Sequence, residues 1–153
     1  MAIELDLQIA AATDDLPSGQ SFEKWVSAAL DQQDDAELTI RIVEREESRM
    51  LNRTWRGKDS DTNVLSFPAA LPEEIGIPLL GDIVICAPRV AEEALAQDKD
   101  VQSHWAHLTV HGVLHLLGFD HQDEQEAREM EALETSILAS MGFPDPYSWP
   151  SGT

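Results

Sequence analysis

Basic residues are scarce in this chain. Ten lysines and arginines stand against 29 acidic residues, a formal net charge of −19 at pH 7. A field of that sign does not draw nucleic acid to the molecule as a whole. Cysteine is nearly absent: Cys86 stands alone, so no internal disulfide can form, which fits a reducing compartment and makes the cytoplasm the expected location. Within the strand-like run IVIC it is expected as a small buried residue. No apolar run approaches the ~20 residues of a membrane helix. The first dozen residues carry Glu4 and Asp6 and no basic start, so they do not read as a signal peptide.

What is present is ordinary for a globular protein: 42% hydrophobic and 25% charged residues over 153 positions. That is enough for one core, and a single domain over 1–153 is expected, with 145–153 as a surface tail. The scarce cations are not spread evenly. Arg41, Arg45, Arg49, Arg53, Arg56 and Lys58 lie together with only Glu44, Glu46 and Glu47 between them, a net +3, so the rest of the chain carries −22. Arginines on a helix are commonly a solvated face paired with glutamates. Arg56, opening the turn Arg56-Gly57-Lys58-Asp59, is also placed to grip a phosphate bidentately.

Periodicity predicts four short strands, at 2–10, 38–43, 62–67 and 80–86, the last two joined by a Pro-rich loop. Helices are expected from Ser21 to about Leu30 and from Glu44 to about Trp55, the second with Met50 and Leu51 inward. Pro88 suits the first turn of a helix to about Gln97. A mostly apolar, central helix should run from Val101 to Leu117 and end at Gly118. Asp123, with Glu126 three residues on, starts the last helix as a capping box, with Met130, Leu133, Ile137, Leu138 and Met141 inward. Four strands among five helices, without repeat or linker, read as an α+β domain.

The specific chemistry lies in His111-Gly-Val-Leu-His115-Leu-Leu-Gly118-Phe-Asp-His121. Histidines four apart on a helix point the same way, and a glycine able to end the helix can carry His121 round to the same ion. Three imidazoles suit zinc, one ion per chain, and leave a fourth position open, as in a catalytic rather than a structural site. Unpaired buried imidazoles on so apolar a helix would be costly. The spacing is that of zinc peptidases, except that Gly112 stands where they carry a glutamate base. Asp120 is the nearest carboxylate and serves either to orient a histidine or move a proton, or only as a turn residue. His107 and His104, one and two turns earlier, are expected as cleft-lining or as partly buried side chains with ordinary hydrogen bonds.

In that order, LNRTWRGKDSDTNVLSFP (51–68), LLGDIVI (79–85) and HLTVHGVLHLLGFDH (107–121) resemble the YbeY family of bacterial endoribonucleases and rRNA maturation factors. The likeness extends from Arg41 to about Gly142. Trp55 replaces a common tyrosine, and Asn63 replaces a frequent aspartate. The resemblance implies a zincin-like α+β domain, with a mixed four-stranded sheet and the metal helix against it. It also implies a zinc-dependent endoribonuclease preferring single strands, active in maturation of the small-subunit rRNA 3′ end and in ribosome quality control. His111, His115 and His121 would be the metal ligands and Arg56 the functional arginine. Single-stranded RNA, rRNA and small-subunit ribosomal proteins are the implied partners; DNA and membranes are not. A non-enzymatic ribosome assembly factor with a structural metal is the alternative, and Gly112 argues against a minimal peptidase.

Overall fold

The computed structural model describes residues 3–13, 15–30, 35–69, 79–119 and 123–147. Among these the order is β1 (Ile3–Ile9), α1 (Gly19–Leu30), β2 (Ala36–Val43), α2 (Arg45–Arg56), β3 (Val64–Pro68), β4 (Leu79–Cys86), α3 (Ala87–Ala96), α4 (Val101–Leu116) and α5 (Glu124–Ser140). The four strands form one mixed sheet in the order β1-β2-β4-β3. β1, β2 and β4 are parallel, and β3 runs antiparallel to β4 along the sheet edge. The α+β architecture with a mixed four-stranded sheet, expected from the sequence and its family resemblance, is the one observed.

Alternation along the strands sorts side chains between two faces. Leu38, Ile40 and Ile42 of β2 and Ile83 and Ile85 of β4 meet α1, α4 and α5 in the main core. Val43, Leu65, Val84 and Cys86 form a smaller cluster on the other face, closed by Leu51 of α2 and by Phe67. Cys86 is fully buried there, as its setting predicted, and burial pushes its thiol pKa up.

Three helix details differ from the sequence reading or sharpen it. α1 begins before Ser21, because the Ser18 hydroxyl accepts the Ser21 amide at 3.2 Å and so caps the first turn. α2 does not turn Met50 inward; Met50 is exposed, while Ser48 and Asn52 are buried. The reason is polar anchoring. Ser48 Oγ bonds both the Thr62 carbonyl and the Thr62 amide, at 2.9 and 3.0 Å, and the Asn52 amide donates to the Ser60 carbonyl at 2.9 Å. This ties the 58–63 loop to α2 and rotates Met50 to solvent. α4, capped by Asp100 on the Ser103 amide, is buried on nearly every side, as predicted. At Gly112 it lies so close to the sheet that an added Cβ would stand 2.9 Å from Ile83 Cγ2.

Candidate metal centre

α4 carries four histidines down one side. The ring centroids of His104, His107, His111 and His115 follow one another at 6.2, 6.2 and 4.6 Å. The last two converge most closely, with their Nε2 atoms 3.1 Å apart. Two imidazole nitrogens on one tetrahedral zinc stand roughly 3.3 Å apart, given bonds of ~2.0–2.1 Å. The pair therefore fits such an ion with a shift of a few tenths of an ångström. Asp120 and His121 lie outside the described residues. Gly118 is described, and its φ of +103° is a backbone conformation that side-chain-bearing residues rarely adopt. It follows the helix end where the sequence reading required a turn.

Behind the pair lies a residue the sequence reading passed over. Glu134 of α5 is fully buried, and its carboxylate accepts from His111 Nδ1 at 2.9 Å, from His107 Nε2 at 2.8 Å and from the Tyr147 hydroxyl. Burial alone would raise its pKa, but the hydrogen bonds from His107 and His111 more than reverse that and hold it at about 2. Burial lowers the pKa of His107 despite the Glu134 bond that opposes it, and burial followed by Glu134 raises that of Tyr147. The result is an ionised carboxylate held by two imidazole N–H groups and a phenol O–H. A proton fixed on His111 Nδ1 makes Nε2, which faces His115, the lone-pair nitrogen of the neutral ring.

His107, His111 and Glu134 also offer ligand atoms within 4.8 Å of one another and could hold a metal ion. Their spacings are hydrogen-bond lengths, and both carboxylate oxygens are already engaged. Chemically, Glu134 acts more naturally as an orienting carboxylate for His111 than as a ligand. A signal for it was available: Glu134 lies four residues from both Met130 and Leu138, on the inward stripe of α5, and a buried carboxylate needs donors. Tyr147 carried no such signal, although it tethers part of the expected surface tail to this network. His104 takes the ordinary role foreseen for it, meeting Glu93 at 2.9 Å. Asn63 donates to the same carboxylate at 3.0 Å.

In front of His111 and His115 opens a cleft of about 730 Å³, lined also by Arg56, Asn63, Ser66 and Phe119. Arg56 reaches it from the C-terminal end of α2, where Gly57 takes a left-handed φ of +72° and closes the helix. The other arginines of the basic island are ion-paired, most of them to unexpected carboxylates. Arg45 pairs with Asp61 and Glu92, Arg49 with Asp59, and Arg53 reaches Asp59 at 4.0 Å. Only Arg41 uses a predicted glutamate, Glu47, at 2.6 Å. Glu44 instead accepts the Ala12 amide. Among the described residues Arg56 is the one arginine of α2 with no ion-pair partner, and it faces the histidine cleft.

A family model described as endoribonuclease YbeY matches residues 8–142. Among solved structures, the solution structure of TM1509 from Thermotoga maritima superposes with a TM-score of 0.55. It is 22% identical, and the match covers 95% of this chain and 99% of that one. At that identity the likeness concerns the fold.

Proposed function

The chain belongs to the YbeY family of endoribonucleases, and from that premise we propose that the cleft between α4 and the end of α2 hydrolyses phosphodiester bonds of single-stranded RNA. The observation that carries the reading is the company Arg56 keeps in the cleft. It shares the lining with two converging imidazole nitrogens and, among the described residues, has no ion-pair partner, while the other arginines of α2 are ion-paired. His111 and His115, with His121 from the sequence spacing, would hold one zinc ion. When bound, such an ion supplies Lewis-acid chemistry, offsetting phosphoryl charge and lowering the pKa of water.

The chain's own residues supply the rest. Arg56 binds a non-bridging phosphate oxygen and balances the charge that grows as the phosphate becomes pentacoordinate, a role for which its planar fork suits it better than lysine. Glu134 keeps the proton on His111 Nδ1 and fixes the ring. Asp120, next to His121, orients a histidine or moves a proton. Gly112 cannot be exchanged for a peptidase glutamate, because its Cβ direction leads into Ile83 and not into the cleft. The biological setting that fits is rRNA processing in the cytoplasm, in maturation of the small-subunit 3′ end and ribosome quality control, alongside small-subunit proteins. No helix among the described residues is long and apolar enough to cross a membrane.

The test joins metal analysis to cleavage of a defined single-stranded RNA. Wild type should bind about one zinc per chain and cut; His115→Ala should lose both metal and cutting. Arg56→Ala should keep fold and metal yet lose about 10²–10³ in rate, with Arg56→Lys recovering only part. Arg56→Ala cutting at the wild-type rate with metal bound would remove Arg56 from the mechanism. A folded, metal-loaded wild type that cuts no RNA would favour the assembly-factor reading.

A further inference from the structure

A second cavity, of about 690 Å³, opens on the opposite face of the sheet and shares Ser66 and Pro68 of the edge strand with the histidine cleft. Its wall is aromatic. Trp55 is 67% exposed, and its ring meets Phe67 edge-to-face at a centroid distance of 6.2 Å. A large indole left in solvent beside a second ring offers an open π face. We propose that this Trp55–Phe67 shelf is a nucleobase subsite, holding by stacking a base one nucleotide away from the phosphate gripped by Arg56. The inference rests on the ribonuclease reading and extends it.

Three observations select a base as the occupant. The first is continuity: the shelf and the histidine cleft share Ser66 and Pro68, and Trp55 and Arg56 follow one another on α2, so the two sites adjoin at the rim of β3 and neighbouring parts of one strand can reach both. The second is charge. The cavity contains Asp82, and its one arginine, Arg41, is already neutralised through two bonds to Glu47. Phosphate is repelled from such a floor, whereas the amino edge of a base finds acceptors on it. The third is shape, because stacking on an aromatic face tolerates any base and therefore suits a single strand read without strict sequence.

The experiment compares wild type, Trp55→Ala and Trp55→Phe on one single-stranded RNA, and on the same RNA with an abasic ribose at each position flanking the cut. Trp55→Ala should raise KM about 5- to 150-fold at unchanged kcat, and Trp55→Phe should recover most of it. At one flanking position the abasic substrate should cost wild type the same factor and cost Trp55→Ala nothing more. Because Trp55 is mostly exposed, thermal melting should match wild type in both variants. An unchanged KM in Trp55→Ala overturns the subsite and leaves the ribonuclease reading intact, as do losses that simply multiply at every flanking position. Wild type that neither binds nor cuts RNA removes both.

Discussion

Glutamine at position 134 keeps the shape of the side chain and removes its charge. In the wild type three donors converge on the carboxylate: His111 Nδ1 at 2.9 Å, His107 Nε2 at 2.8 Å and the Tyr147 hydroxyl. A primary amide has one oxygen for them, and its NH₂ must face a group that was itself a donor. His111 relieves the conflict by moving its proton to Nε2, the nitrogen that faces His115. The ring then presents N–H where a metal requires a lone pair. Metal affinity should fall about 10- to 100-fold, the usual effect of losing an orienting carboxylate.

Stability should fall as well. A carboxyl held at about 2 rather than 4.5 marks a preference for the charged form of roughly 3 kcal/mol, and glutamine resembles the neutral form. For a chain of this length that corresponds to a Tm lower by roughly 6–12 °C in metal-free protein. Leu138→Ala is the control. Leu138 is buried one turn along the same stripe, so its truncation costs a similar ~2–5 kcal/mol without touching a histidine tautomer. The assay is competition for zinc with a chromophoric chelator, on both variants and at a temperature where both are folded. If Glu134→Gln binds zinc as wild type does, or if Leu138→Ala loses as much affinity, the tautomer argument is refuted.

Gly112→Ala should lower Tm by several degrees, about 1–3 kcal/mol of overpacking, because its methyl meets Ile83 at 2.9 Å; a melt matching wild type would show that the helix can move off the sheet freely. Acid should unfold the protein partly through Glu93. Burial pushes this carboxyl up, but hydrogen bonds from His104, Asn63 and Arg89 bring it from 4.5 down to about 2. A depressed folded-state pKa contributes stability that is full above pH 4.5 and is lost as pH falls toward 2, up to about 3 kcal/mol. Glu93→Gln should flatten the Tm–pH curve in that window relative to wild type, and an unchanged slope would contradict the assignment.

The architecture was legible because β2, β4 and α4 carry periodic apolar residues whose burial follows directly from their spacing. The His111–His115 pair was legible for the same reason: residues four apart on a helix must share a side. Position 134 was readable in principle, as an acid within an inward stripe, but its partners come from another helix and from the chain beyond α5. Of the arginine pairings, only that of Arg41 with Glu47 was readable. Local spacing suggested Glu44, Glu46 and Glu47, whereas the other observed partners Asp59, Asp61 and Glu92 come from a loop folded back by Ser48 and Asn52 and from the neighbouring helix α3. The outward turn of Met50 has the same origin.

The edge position of β3 has a mechanical consequence. The histidine cleft opens on the α4 side of the sheet and the Trp55–Phe67 shelf on the α2 side, so a polymer engaging both must turn around the rim of one strand. A single strand bends at every nucleotide and follows such a corner with little elastic cost. A double helix does not, since duplex DNA keeps its direction over about 50 nm, many times the width of this protein. Selection between the two would then need no contact that reads strandedness: the corner itself discriminates, by stiffness.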